Sequence, residues 1–227
     1  TKLTPAIVGV AAAAGHNEVL VYKKISVDVL IFGDELLLDG PSRDGKVRDS
    51  LGPQLPFWVD YLGATLVNVI HVADTLDDHV VAITNSKSDL IITTGGTAAG
   101  PVDHLHDAIR DVNGELIIDA VLVRPGYHSL MARINDKFLI GLPGNPQSAV
   151  IGLLSLVAPF IAGSYGQVLP TLESRTFNAD FKGPAREVRL VLCTEADGVV
   201  TPLEHLDSSM LRGFVDAHGY AVLPAGG

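Results

Sequence analysis

Four short segments combine residue types that can bind an anion or hold a metal. The run LIITTGGTAAGPVD over residues 90–103 joins an apolar, β-branched stretch to a glycine pair. Gly95 and Gly96 let the main chain turn with no Cβ in the way, and Thr93, Thr94 and Thr97 add hydroxyl donors. A helix expected over 102–112, with Asp103 in its first turn, would bring free N–H groups and a partial positive charge to a phosphate. The same residues also suit a plain strand-to-helix turn. The second segment is GLPGNPQS, residues 141–148. Pro143 and Pro146 stiffen a loop around Gly144 and Asn145, Gly144 permits close backbone approach, and Ser148 either caps the following helix or donates to an anion. The third is GDEL at 33–36, which places Asp34 and Glu35 just past a buried strand, where carboxylates can hold Mg²⁺ between ligand phosphates or simply solvate a turn. Asp49, in KVRDSLGP, is a similar candidate. The fourth is VRPGYHS at 123–129, where the Arg124 guanidinium can pair with an oxyanion beside a Pro-Gly turn. Tyr127 and His128 read there as a surface turn. The histidines show no metal-site spacing, since His104 and His106 do not share a helix face, so no zinc is expected.

The elements that position these segments follow a strand–helix rhythm. Residues 27–32 (VDVLIF) read as a strand buried on both faces, 56–62 as a helix, and 65–72 as a second strand. Asp74, Asp77 and Asp78 suit the start of a helix running to Asn85. Strands are expected over 90–93, 116–124 and 137–140, and a long apolar helix over 144–163. This order predicts an α/β fold, a mostly parallel sheet with helices on both faces. Ligands of such sheets sit beyond the carboxyl ends of the strands, the edge where the glycine-rich turns fall. Beyond Tyr165 the segments shorten, and 187–194 and 220–223 read as strands of a small all-β domain. The predicted organisation is a connecting segment over 1–24, an α/β domain over 25–166 and a β domain over 167–227.

Composition narrows the partners. The 227 residues carry a formal charge of −10, which opposes nucleic acid and anionic membranes as main partners. One cysteine, Cys193, rules out an intrachain disulfide framework and fits a cytoplasmic location. No apolar run reaches the ~20 residues of a membrane span. The opening TKLTPAIVGV lacks the basic stretch of a signal peptide, and a start on Thr1 is expected of a trimmed or incomplete chain.

Taken in order, GDEL, DS, TTGG…G…D, PG and GLPGNPxSA resemble the molybdopterin molybdenumtransferase family, of the MoeA and gephyrin E-domain type. The likeness extends to residues 4–22, to REVRLVL at 186–192 and to SSMLRGFVDAHGYAVLP at 208–224. It implies a three-layer α/β/α molybdopterin-binding domain followed by a small C-terminal β-barrel. It implies a reaction that inserts molybdate into adenylylated molybdopterin with Mg²⁺ and releases AMP. By position, Thr94, Gly95, Gly96, Thr97, Gly100 and Asp103 would hold the pterin phosphate or nucleotide end, together with the loop of Pro143, Gly144, Asn145 and Pro146. Glu35 and Asp103, with Asp49, would lie near the metal; Arg124, Ser148, Ser208 and Ser209 would lie where molybdate binds, with Arg186 preferred to Arg189 as a further cation. Asp103, Glu35 and Arg124 would be the catalytic set. A homodimer and a partner adenylyltransferase are also implied.

This chain departs from the family pattern at informative places. Ala98 and Ala99 replace a Ser-bearing stretch, Leu51 replaces Asn after Asp-Ser, and RPGYH stands where KPGKP is usual. Tyr127 thus removes a cation, Met210 sits where a basic residue is common, and the family's N-terminal dimerising domains do not appear in these residues. Two alternatives stay open: a non-catalytic molybdopterin-binding module, and a nucleotide pyrophosphatase of the competence-damage family, whose opening motif GDELLLDG resembles.

Overall fold

The computed structural model describes residues 3–98, 100, 103–180, 185–204 and 207–226. The chain opens with α1 (Pro5–Ala13), capped by the Thr4 hydroxyl and with no buried residue. Strand β1 (Ser26–Phe32) follows, then two short parallel pieces, β2 (Leu36–Leu37) and β3 (Val47–Arg48). Helix α2 (Leu51–Tyr61), β4 (Thr65–Val72), α3 (Leu76–Asn85) and β5 (Leu90–Thr94) continue the rhythm. After α4 (Leu105–Asp111) come β6 (Glu115–Ile118), β7 (Val123–Arg124), β8 (Leu130–Ile134) and β9 (Lys137–Leu142). Helix α5 (Pro146–Ser164) closes this unit.

The main sheet has the order β4-β1-β5-β9-β8-β6. Strands β4, β1, β5 and β9 are parallel, and β8 runs against its neighbours. Side chains on β1 alternate between two cores, as a strand buried on both faces must. Val27, Val29 and Ile31 pack with Leu51, Leu55 and Val59 of α2 and Leu153, Val157 and Ile161 of α5. Leu30 and Phe32 pack with Ile83 of α3 and Leu105 and Ile109 of α4. The result is the three-layer α/β/α arrangement expected from the sequence.

Several boundaries differ from expectation, each for a physical reason. Helix α2 begins at Leu51, not Pro56, because the Asp49 carboxylate accepts the N–H groups of Leu51 and Gly52 at 3.0 and 2.9 Å. Pro53 is tolerated there because a first helical turn has no use for its missing N–H. Helix α4 begins at Leu105 rather than 102, a residue outside the described ones, and His104 precedes it without a side-chain cap. The strand expected over 116–124 divides into β6 and β7. Strand β8 was not anticipated; it pairs with β9 across a turn in which Asn135 takes φ 54°. Helix α5 runs 19 residues, starting two residues later than expected because Asn145 is its cap, and is long and apolar enough to cross a membrane by length and composition alone. Here Ala149, Leu153, Val157 and Ile161 lie against the sheet instead. Its middle, Leu153–Val157, widens into a π turn just before Pro159, which has no N–H to return to the helix.

The remaining strands, β10 (Thr176–Phe177), β11 (Val188–Ala196), β12 (Val199–Pro202) and β13 (Gly219–Leu223), form a second sheet in the order β10-β12-β11-β13. Two features separate it from a self-contained all-β barrel. Helix α6 (Gly213–Asp216) interrupts it, and β7, which precedes β8 and β9 in the chain, adds to β11 as a fifth strand. Among the described residues no strand pair closes this sheet into a barrel.

Candidate functional site

The chain leaves β1 toward β4 on one side and returns through α3 to β5 on the other, so the strand order switches between β1 and β5. Ligand crevices of open α/β sheets form at this point, beyond the carboxyl ends. Gly95 and Gly96 lie just there, with φ +82° and +64°, a left-handed pair that side chains rarely adopt. A Cβ on Gly95 would stand 3.0 Å from the Phe32 carbonyl oxygen. The Gly95 N–H donates to the Leu142 carbonyl at 3.0 Å, which ties the turn to the end of β9. A Cβ on Gly144 would lie 3.7 Å from Gly95 Cα, so the GLPGNP loop meets the turn backbone to backbone. Two of the four chemistry-bearing segments therefore converge, and the glycines are what let them touch.

The threonines behave differently from the expectation that they add donors. Thr93, Thr94 and Thr97 are all buried, and the Thr93 hydroxyl is enclosed without a partner. The Thr97 methyl lies 3.0 Å from where a Cβ on Gly141 would stand. Since the Gly95 N–H is engaged, the turn's main-chain candidates for an anion are Gly96 and Thr97. Helix α4 starts eight residues past Thr97, so its N-terminus does not extend the turn directly. Asp103 folds back on Gly100, accepting its N–H at 3.0 Å. The N-terminus of α5 is engaged as well. Asn145 is the cap residue, Ser148 is buried, and the Gln147 N–H donates to the Ser208 carbonyl at 2.9 Å.

The three carboxylates expected at a metal do not gather. Asp49 is buried; one oxygen caps α2 and the other meets His71 Nε2 at 3.0 Å. Glu35 is exposed and folds over Gly33, where a Cβ would stand 2.8 Å from its Oε2. Among the described residues no three His, Cys, Asp or Glu side chains come together as a metal-ligand group. Asp49 in particular acts as a helix cap and hydrogen-bond partner of His71, and the described residues do not gather into a resident Mg²⁺ site.

The oxyanion segment is likewise committed. Arg124 on β7 forms an ion pair with Glu187, which β11 brings alongside, and the carboxylate raises the guanidinium pKa further. The neighbouring Pro-Gly turn packs on α5: a Cβ on Gly126 would lie 3.0 Å from the Ile151 side chain. Ser209 donates both its N–H and its hydroxyl to Asp207, and these bonds hold that carboxyl below its ordinary range. Ser208 is half-buried, and Arg186 is exposed.

Two residues at the site were not anticipated. Gln147 is buried and its amide donates to the carbonyls of Asp207 and Met210 at 2.8 and 3.2 Å, docking the second sheet's loop onto α5. His79 of α3 is wholly buried beneath the glycine turn. Its ring stacks on Phe32 with centroids 3.7 Å apart, and its Cε1 lies 3.6 Å from where a Cβ on Gly96 would stand. Burial pushes its pKa below the ordinary histidine range, and His104 adds to this, against the opposing pull of Asp74 and Asp78. Neither residue has a sequence signature: a histidine on a helix and a glutamine after Pro146 look like solvent residues.

A parallel-rich sheet between two helical layers, with a left-handed glycine pair at its switch point, defines a doubly wound α/β unit. The chain belongs to the family described as the probable molybdopterin binding domain, whose model matches residues 28–163. It is similar to the molybdopterin molybdenumtransferase of Staphylococcus aureus (strain COL), at 30% identity over 99% of this chain and 56% of that protein. Its backbone resembles the molybdopterin biosynthesis MoeA protein of Pyrococcus horikosii, with a TM-score of 0.81 at 21% identity over 99% of this chain and 56% of that one. A CinA protein of Thermoplasma acidophilum matches 61% of this chain and 98% of its own, with a TM-score of 0.51 at 18% identity. The chain spans about half the length of the curated relatives it matches.

Proposed function

We propose that this chain serves molybdenum cofactor biosynthesis and binds molybdopterin, or its adenylylated form, by the phosphate end at the Gly95–Gly96 turn. The observation that carries this reading is the convergence of two left-handed glycines and the Gly144 loop at the switch point of the sheet. Main-chain N–H groups there bind an oxyanion without a side-chain cation, which suits a chain of charge −10. A cavity of about 490 Å³ between α2, α5 and the second sheet, lined by Trp58, Phe214 and Tyr220, offers apolar aromatic walls to a flat heterocycle. Similarity over 99% of the chain, second sheet included, favours this reading over the competence-damage alternative, since the likeness to the CinA protein stops at 61% of the chain.

Within the same proposal, Arg124, Arg186, Ser148, Ser208 and Ser209 surround molybdate, the substrate oxyanion. Their part is to bind and orient it against the pterin. Mg²⁺ would supply charge neutralisation of the phosphates, and among the described residues no resident cluster is built to hold it, so no step is assigned through it. Pairing into a homodimer, a partner adenylyltransferase and a cytoplasmic location belong to the proposal too. Isothermal titration with molybdopterin and with its adenylylated form tests the binding half: micromolar or tighter binding is expected, and none below millimolar would overturn it. The Arg124–Glu187 pair favours a second reading, a binding module without molybdate insertion. Molybdate-dependent release of AMP, abolished by Arg124→Ala, would exclude that second reading.

A further inference from the structure

We propose that His79 is a positioning residue of the glycine turn, and that it takes up a proton when an oxyanion settles there. The proposal rests on the reading of Gly95–Gly96 as an anion site. Its basis is geometric. His79 is wholly buried, and both its ring nitrogens are enclosed without a hydrogen-bond partner. Any neutral tautomer still carries one N–H, so the ring holds an unsatisfied donor inside the core. The acceptor within reach is Asp74, whose Oδ1 stands 3.6 Å from Nε2, just beyond a hydrogen bond.

The ring also sits at a junction of loops. Its face covers Phe32, the last residue of β1, and its edge faces Gly96. His104, the residue before α4, meets it edge-on at 5.8 Å. Asp74 in turn exchanges two bonds with the GDEL loop: Asp34 N–H donates to its carboxylate at 3.2 Å, and its own N–H donates to Asp34 at 3.3 Å. Movement of Asp74 by half an ångström toward the ring would therefore reach the GDEL loop as well.

The charges facing His79 come from three places. Asp74 precedes α3, Asp78 is its neighbour on α3, and His104 approaches from just before α4; β1 and the glycine turn present no ionisable group to it. Burial outweighs the two carboxylates and lowers the ring's pKa below the ordinary histidine range. An anion hydrogen-bonded to Gly96 adds a negative charge close by, inside a poorly screened interior. That charge favours the imidazolium, which can then donate to Asp74. By linkage, the anion should bind more tightly as pH falls through the titration of His79.

Sulfate is the appropriate probe, because it keeps two negative charges across the whole range. The His79 Cε1–H resonance is followed by NMR against pH, with and without sulfate, alongside the amides of Gly95, Gly96 and Thr97. Saturating sulfate is expected to move the His79 midpoint up by about one unit, which corresponds to about tenfold tighter sulfate binding at the acid end. His79→Leu should still bind sulfate, with the pH dependence lost. Turn amides that respond to sulfate while the His79 midpoint stays put would overturn the proposal and leave the anion site standing. Turn amides that ignore sulfate would remove the anion site, and the proposal with it. The wild-type midpoint decides the matter even where His79→Leu does not fold.

Discussion

The glycine turn and the Arg124 segment were expected to hold the two ends of one ligand, and they are built on opposite principles. The turn is made of main chain: two left-handed glycines, a bond from Gly95 to Leu142, and the close approach of Gly144. The Arg124 segment depends on an exposed side-chain charge, and that charge is already paired with Glu187. A backbone site survives divergence of the side chains around it, provided the glycines stay. A charge site is lost or masked by one substitution. Ala98 beside the turn leaves its main-chain N–H groups in place, whereas at the other end Tyr127 supplies no cation and Glu187 neutralises Arg124.

The largest effect expected is at the turn. Gly95→Ala forces a Cβ into a left-handed residue 3.0 Å from the Phe32 carbonyl, and should cost about 3 kcal/mol. Thermal unfolding should show this, and pterin binding should disappear in whatever remains folded. A stable Gly95→Ala that binds normally would end the contrast. Next is Gln147→Ala, which strips two amide bonds from the loop carrying Ser208 and Ser209 and should cost about 2 kcal/mol in denaturant unfolding. Molybdate contacts should weaken with it, while phosphate binding at the turn stays within a few-fold of wild type.

Glu187→Gln sharpens the comparison at the charge site. Releasing Arg124 should raise molybdate affinity by roughly three- to tenfold at low salt, and the gain should fade as salt is added. Equilibrium dialysis at two ionic strengths reads both. No gain would mean that Arg124 does not face the oxyanion. The smallest effect concerns pH. His79 is held neutral in the folded chain, below the ordinary histidine pKa, but protonates in the unfolded chain. The stability tied to it is whole above about pH 6.5 and falls as the pH drops below that. His79→Leu should therefore lose less in Tm between neutral and mildly acidic pH than the wild type does.

The sheet was largely legible because its signal is local. The apolar run at 27–32 and the pattern at 65–72 have the length and composition of strands, and β4 starts and stops where that pattern does. Helix α2 was read too short because a cap by Asp49 overrides the turn-like look of Gly52 and Pro53. At the site, Gly95 and Gly96 announced themselves, since two adjacent glycines at a strand end call for a left-handed turn. What stayed hidden depends on long-range partners. Glu187 meets Arg124 from 63 residues away, and Gln147 meets the 207–210 loop from 60 residues away and more. His79 reads as an ordinary helical residue until α3 is laid against Phe32.

Strand β7 carries a further consequence. Its two residues pair with Val188 and Arg189, and the Val188 N–H donates to the Leu122 carbonyl at 2.9 Å. The two sheets are thus laced through shared main chain and not merely pressed together. Separating them must break that ladder, so fluctuations of the second sheet cannot be independent of the first. In hydrogen–deuterium exchange, the Val188 amide should open together with the Gln147 amide, as one cooperative latch.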